Sequence, residues 1–532
     1  MKKKLKKLTA LILTAVMLAS LAGCGKGTAD NNDGNSNVSG EDNNSGKSDN
    51  SDDGSNSTQD TINIAMSQDV GSMNIFSTGT TATYVLYQIY EPLFDLGYDM
   101  EITPVLAESW EQVDDTHYTV KIRQGVTDSE GNTFTANDAL FTLKLYQQDA
   151  ENSQFVANID LDKTTATDEY TLDIYLAGPN AYTFQNLSSV HMVTEAAWNA
   201  SADEMVTDPV GTGAYVLKDY VSGSFVELEA RDDYWGGVPS IKTARFTVIS
   251  EPSQATTALE TGEVQLVMSL QSSDKEYIDS IDGLTTLANP SIASMSLFFN
   301  MSENSVFSDK NLRQAICCAI DNEAINNVVY GGFALPSVSP YSTAMIDYVP
   351  EIDGEMYAKA DMEEAKELVS ASGLTGGKIK IATDGSSEQT GIAEIVQSKL
   401  LELGFEAEIN NYDNATIWDV AADPAQWDIV MNLTAAPSGY GMDQLFAFLG
   451  GLNWSKWSGT EFDEFNQYYG AALVSKTDEE RQENTNKAVK IVEDMCPTYS
   501  VVQVSNIYAF ADNLNFRVWN QATLMVKDLK FE

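Results

Sequence analysis

Residues 25–60 decide where this chain can fold at all. The stretch is almost entirely Asn, Asp, Ser and Gly, holds no aromatic residue, and has Val38 as its one aliphatic side chain larger than alanine. With so little apolar surface to bury, it cannot offset the entropy lost on ordering, and an open coil is expected. A flexible coil of that length has an end-to-end distance of roughly 30–36 Å. Packed structure is therefore expected only from about Thr61 to Glu532.

The segment ahead of the coil has a different character. Lys2, Lys3, Lys4, Lys6 and Lys7 precede an apolar run from Leu8 to Leu21, and the run closes in Leu21-Ala22-Gly23-Cys24. It is shorter than the ~20 residues needed to cross a bilayer. A basic start, a short apolar run and small residues before a cysteine read as a signal peptide over residues 1–24 ending in a lipobox. On this reading Cys24 takes the lipid and residues 25–60 are a tether. The body then lies outside the cell, anchored to the outer face of the membrane.

Charge narrows the partners. The chain has 78 acidic against 31 basic residues, five of the latter in the leader, for a formal charge of −47. Such a body will not bind nucleic acid through its phosphates. It is also repelled by an anionic bilayer surface, so anchoring is left to the lipid on Cys24. At ~100–200 residues per domain, residues 61–532 make two or three domains.

Cysteine and histidine usage removes several chemistries. Apart from Cys24 there are only Cys317, Cys318 and Cys496, and Cys317 and Cys318 fall on opposite sides of a predicted helix. That is no disulfide scaffold, and these three thiols read as buried apolar fillers. His117 and His191 are the only histidines. Histidine-based catalysis and a His-rich metal site are thereby excluded, and no metal or cofactor is expected. His117 reads as a solvent-side strand residue, and His191 as a loop residue. No spacing singles out a nucleophile with its base or a pair of carboxylates, so the chain does not read as an enzyme.

Strand and helix patterns alternate, as in an α/β protein. Thr61 to Met66 is a first strand, and Tyr84 to Tyr90 has helical spacing. Asp115 to Arg123 and Asp168 to Leu176 share a Tyr-Thr-[Val/Leu]-x-Ile pattern, which predicts paired strands. Between them a helix from Asn137 to Tyr146 is expected, capped by Asn137. A hairpin over Ala214 to Ala230 turns at Ser222-Gly223. Ser308 is the expected cap of a helix carrying Leu312, Ala315, Ile316 and Ala319, and Asp321 the cap of the next. A further helix runs from Asp361 to Val369. Strand Lys378 to Ala382, helix Gly391 to Leu403 and strand Phe405 to Ile409 form a βαβ unit, which favours parallel strands. Asp428 to Leu433 and Tyr499 to Phe510 read as further strands.

Four blocks carry a family resemblance. They are Glu91-Pro-Leu-Phe94 with Pro104-Val-Leu-Ala-Glu-Ser-Trp110; Tyr118 to Val126 with Gly131-Asn-Thr-Phe-Thr-Ala-Asn-Asp138; Pro209-Val-Gly-Thr-Gly-Ala-Tyr215 with Asp233-Tyr-Trp-Gly-Gly237; and Phe298-Phe-Asn300 with Asp309, Leu312-Arg-Gln-Ala315 and Ala319-Ile-Asp321. In this order they resemble family 5 of the extracytoplasmic solute-binding proteins of ABC importers, which includes the dipeptide- and oligopeptide-binding proteins. The resemblance implies a two-lobed α/β clamshell of the periplasmic-binding-protein type (type II, large cluster C) with an extra subdomain. It places the lobe I core at 61–105, 208–295 and 505–532, the extra subdomain at 106–207 and lobe II at 296–504. Gly211-Thr-Gly213 lacks the spacing and lysine of a phosphate loop and reads as a tight turn. Trp110 and Trp235 read as core or hinge packing.

The same resemblance implies where a ligand would sit. Phe76-Ser-Thr-Gly-Thr-Thr81 is similar to a contact loop of the dipeptide binders, which makes Ser77, Thr78, Gly79 and Thr80 candidates. A second contact region is expected after Asp428, which makes Asn432, Thr434, Ala435 and Ala436 candidates. The aspartate that relatives place there for a peptide amino end is missing, and Asp443 is the available substitute. Ala382-Thr-Asp-Gly-Ser386 also lacks the arginine that holds a dipeptide carboxylate. The implied function is that of a monomeric, lipid-anchored receptor that captures an oligopeptide and delivers it to ABC permease subunits. Trp418, Trp427, Tyr440, Trp454 and Trp457 keep an oligosaccharide ligand open as an alternative, with Trp418 and Tyr440 as its contacts. A clamshell signalling receptor is the other alternative.

Overall fold

Two strands are far longer than the rest, Leu284–Phe299 and Thr498–Ala511, and they pair antiparallel through the middle of one eleven-stranded sheet. The computed structural model describes residues 60–532 except 78, 99, 358, 414–415, 437 and 519–522. The leader, Cys24 and the coil up to residue 59 lie outside the described residues.

On one side of the long pair stand Leu266–Val267, Thr61–Met66 and Thr243–Val248, parallel to one another, followed by the hairpin Phe225–Ala230 and Tyr215–Val221. The hairpin turns at Gly223, whose φ of 72° lies where glycine is at ease. On the other side stand Ile429–Thr434, Lys378–Thr383 and Glu406–Asn411, again parallel, with helix Ser387–Glu402 as the crossover of the βαβ unit.

Each side buries its own core. Ile62 and Ile64 of the first strand alternate inward with Phe246 and pack beneath helix Thr80–Ile89. A four-stranded antiparallel sheet, Ala107–Asp114, His117–Ile122, Thr171–Tyr175 and Thr165–Asp168, extends that core through Val120 and Leu172. Across the long strands, alternation sends Leu297 and Phe299 to one face with Ile316 and Ile381, and Phe298 to the other with Trp427 and Trp457. Cys317 and Cys496 sit in the first of these cores.

Some local readings change. Helix Ala136–Gln148 begins after Thr135, not at Asn137. Asp138 Oδ2 accepts from the Thr135 N–H at 2.8 Å and from its hydroxyl at 2.6 Å. Helix Lys310–Ala319 is capped by Asp309, whose carboxylate takes the Leu312 N–H at 3.0 Å, and Ser308 belongs to the turn before it. Trp235 packs under Arg123 and donates to Glu91 at 2.9 Å, while Trp110 packs on Phe94 and Phe184. Neither tryptophan lies on the crossing strands. His117 is on the strand face opposite Val120 and Ile122, as expected, and is half-buried there: its ring stacks on Tyr175 and its Nε2 lies 3.3 Å from Asp173 Oδ1.

His191 is buried in its loop between the rings of Tyr87 and Tyr90, with Nδ1 lacking a partner. Burial lowers its pKa from 6.5 to about 4. The unfolded chain thus binds a proton that the folded one refuses between those values, so the stability is present above pH 6.5 and is lost toward pH 4. Relative to a His191→Phe variant, the wild-type protein should lose about 3 kcal/mol over that window. Urea midpoints of both proteins at pH 7 and pH 4.5 measure it, and a constant gap between them would refute a neutral buried imidazole.

Candidate functional site

The parallel strands of both sides end at one cavity of about 860 Å³. From the first side come Ser67 and Gln68, just beyond Met66, with Ser250 beyond Val248 and Gln271 beyond Val267. From the second come Asp384 and Ser386, just beyond Thr383, with Glu388 and Gln389 in the first turn of the following helix. Ligands bind at the carboxyl ends of strands in open α/β sheets because the backbone and helix starts there leave polar groups unpaired. Tyr84, Tyr330 and Phe333 add aromatic walls, and Ser505 and Asn506 of the crossing strand form part of the floor.

The floor is also where the crossing strands lose their register. Pairing runs from Leu284↔Ala511 to Pro290↔Ser505, lapses, and resumes at Ser294↔Gln503. Side chains patch the gap: Ser291 Oγ donates to Val504 O at 2.8 Å, and Ser342 Oγ donates to Ser291 O at 2.7 Å. A ladder broken at the level of the cavity bends there more readily than elsewhere, because fewer backbone hydrogen bonds resist it.

The expected ligand residues divide. Gly79 and Thr80 line the cavity; Ser77 does not, and Thr78 lies outside the described residues. In the second region Leu433 faces the cavity in place of its neighbours. Thr434 Oγ1 is buried against Ser296 and accepts from Gln444 at 2.9 Å. Asn432 is nearly buried, and Ala435 and Ala436 are off the cavity wall. Trp427, Trp454 and Trp457 fill the core. Trp418 is half exposed against Trp454, away from the cavity.

Tyr440 has a different neighbour. Its ring packs on Tyr182 with centroids 4.4 Å apart, and Gln185 Nε2 donates to its hydroxyl at 3.2 Å. The Ala181 N–H donates to Leu473 O at 2.8 Å, and Lys476 pairs with Asp115 at 2.6 Å. These contacts join the surroundings of the four-stranded sheet to the second side, away from the cavity. Asp347 supports the Tyr440 loop by accepting from the Gly441 and Met442 N–H groups at 2.6 and 3.0 Å; burial pushes its pKa up to about 6. Asp443 accepts from Ser438 Oγ at 2.7 Å and from Tyr469, and burial raises its pKa too. It does not line the cavity.

The sequence reading missed most of the wall. Asp384, Glu388, Ser67 and Ser250 carry no motif of their own. Their signal is positional: each follows the end of a strand that turns out to be parallel to its neighbours. Among the described residues, no group of three or more His, Cys, Asp or Glu is placed to hold a metal ion, and no helix is long and apolar enough to cross a membrane.

The model of the bacterial extracellular solute-binding proteins, family 5 Middle, matches residues 101–456. The glutathione-binding protein GsiB of Pectobacterium atrosepticum is 26% identical over 336 residues, 62% of this chain and 64% of GsiB; the match thus spans under two thirds of that relative. The oligopeptide-binding protein AppA of Bacillus subtilis is 23% identical over 470 residues, 83% of this chain and 85% of AppA. Among solved structures, the ABC transporter substrate binding protein CtaP of Listeria monocytogenes aligns with a TM-score of 0.79 at 22% identity, covering 89% of this chain and 99% of that one. Bacillus subtilis AppA, solved with a nonapeptide, aligns with a TM-score of 0.73 at 19% identity, over 89% and 100% of the two chains. At these identities the structural matches establish the clamshell fold.

Proposed function

This chain belongs to family 5 of the bacterial extracellular solute-binding proteins, and from that membership we propose that it captures a peptide-like solute in the cavity and delivers it to an ABC importer. One observation carries the reading: a cavity of about 860 Å³ walled by the strand ends of two sides that share crossing strands. That volume is in the upper part of the ~300–1,000 Å³ range of ligand pockets. Serine, threonine and glutamine side chains at the wall suit the repeated donors and acceptors of a peptide backbone. A solute touching both sides favours the closed form by the contacts it makes only there.

Of the aromatic residues that kept a sugar open, Trp427, Trp454 and Trp457 are in the core and Trp418 and Tyr440 are off this wall, which leaves Tyr84, Tyr330 and Phe333 as its rings. Capture without turnover is therefore the expected behaviour, with the body held at the membrane through Cys24. A thermal-shift screen of the purified body against di- to nonapeptides, oligosaccharides and nickel tests the reading. At a hundredfold excess over Kd, a bound peptide should stabilise by about 2.7 kcal/mol. Stabilisation by sugars alone, or steady hydrolysis of any peptide, would sink the proposal. Cells making a Cys24→Ala variant should release the protein to the medium, and retention at the membrane would refute the anchor.

A further inference from the structure

We propose that the cavity selects a solute bearing an organic cation, an ammonium or guanidinium group, which Asp384 and Glu388 receive. This rests on the solute-binding reading above and adds the charge of the solute. Among the described residues lining the cavity, Asp384 and Glu388 alone are charged, and no Lys, Arg or His is present. The first side offers only neutral groups, such as Ser67, Gln68, Ser250 and Gln271. Lys275, whose Nζ lies 5.7 Å from the ring of the wall residue Phe333, is held by Asp279 at 2.5 Å.

The two carboxylates are set for a partner from outside the chain. Asp384 Oδ1 accepts from the Ser386 N–H at 2.9 Å and its hydroxyl at 2.6 Å, which fixes the carboxylate. Glu388 accepts from Ser387 Oγ through Oε2 at 2.8 Å. Neither carboxylate has a Lys or Arg within 4 Å among the described residues. The Tyr330 hydroxyl, also on the wall, has no hydrogen-bond partner. Burial and the charges of Glu388 and Asp384 raise its pKa, which keeps it a neutral donor.

Charge then acts by discrimination. A cation entering a cleft that excludes water on closing meets two carboxylates whose attraction is no longer fully screened. An anionic solute meets the same two groups with no counter-ion, which penalises it. Two carboxylates without a third acidic, His or Cys ligand suit an ammonium better than a bare metal ion.

The test uses three pools of end-blocked tri- to hexapeptides, rich in Lys and Arg, in Gln and Ser, or in Asp and Glu, read by native mass spectrometry and calorimetry. Blocking the ends leaves side-chain charge as the only charge. The wild-type protein should bind the basic pool at least tenfold tighter than the neutral pool and the acidic pool weakest. Asp384→Asn with Glu388→Gln should erase that preference, so that the variant binds its basic and neutral pools with equal affinity. Added NaCl should weaken only the basic pool. Equal binding of neutral and basic pools, or a preference that survives the double variant, overturns the charge proposal while the peptide reading stands. Binding of none of the pools overturns both.

Discussion

Gly213→Ala should destabilise the protein by at least about 4 kcal/mol, with Gly211→Ala close behind. A Cβ built at Gly213 lies 2.4 Å from Gln88 O and 2.6 Å from Ile89 C. At Gly211 the same atom lies 2.2 Å from Ile89 O and 2.8 Å from Tyr90 Cδ1. These obstacles are largely backbone at the end of helix Thr80–Ile89, so no rotamer change relieves them. The Gly213 N–H also donates to Ile89 O at 2.8 Å, which locks the two segments at that separation. Arg231 fastens the loop from the other side by donating to Gly211 O and Gly213 O at 3.3 and 3.4 Å. Two controls separate close approach from backbone conformation. Gly178→Ala meets nothing within 4 Å and should change stability by less than ~0.5 kcal/mol. Gly223→Ala also meets nothing, but its φ of 72° should cost about 1–2 kcal/mol. Thermal and urea unfolding of the four variants rank them; a Gly213 variant as stable as the Gly178 one would show that the helix end yields.

That glycine pair shows what sequence can and cannot carry. Its spacing excluded a phosphate loop and left a turn, but the need for glycine comes from a helix more than a hundred residues earlier. The regular elements were legible because periodicity is local. Thr61–Met66, the βαβ unit and the long Thr498–Ala511 strand all follow from it. The partner strand Leu284–Phe299 was hidden, since Pro290 and the Ser291–Ser294 stretch interrupt its alternation where the ladder breaks. Caps slipped by one or two positions where several capping residues adjoin. Thr135 competes with Asn137, and Asp309 with Ser308, and only backbone geometry chooses between them. The cavity was half legible. Gly79 and Thr80 came from a family loop, and the stretch Ala382-Thr-Asp-Gly-Ser386 was marked by the arginine it lacks, whereas Glu388 one turn further on had no signal of its own. Tyr440 carried the right chemistry for a ligand but spends its ring on Tyr182, a contact set by tertiary structure alone.

Arg313→Met should cost about 5 kcal/mol, the largest loss expected from one side chain around the core that holds Ile316 and Cys317, and Arg313→Lys about half of that. Arg313 is 1% exposed on helix Lys310–Ala319. Its Nη1 donates to Phe307 O at 2.7 Å and to Ser308 O at 3.2 Å, while Nε and Nη2 both donate to Met495 O at 2.9 and 2.6 Å. Met495 ends helix Asp478–Met495, so the cation sits at the negative pole of that helix as well as on its carbonyls. Methionine fills the volume but strands three buried acceptors. Lysine keeps the charge without the planar fork that reaches two segments at once. Gln314 next door donates to Asp494 O from an exposed position, and Gln314→Ala should cost under about 1 kcal/mol. The chain that the guanidinium pins at Met495 enters the crossing strand at Thr498, six residues before the cavity residue Val504. Loosening it should therefore weaken solute binding along with stability, whereas Gln314→Ala should leave solute binding unchanged. An Arg313→Met protein that melts with the wild type would mean that water or a repacked turn satisfies those carbonyls, and that the guanidinium is not what ties the helix end to the strand.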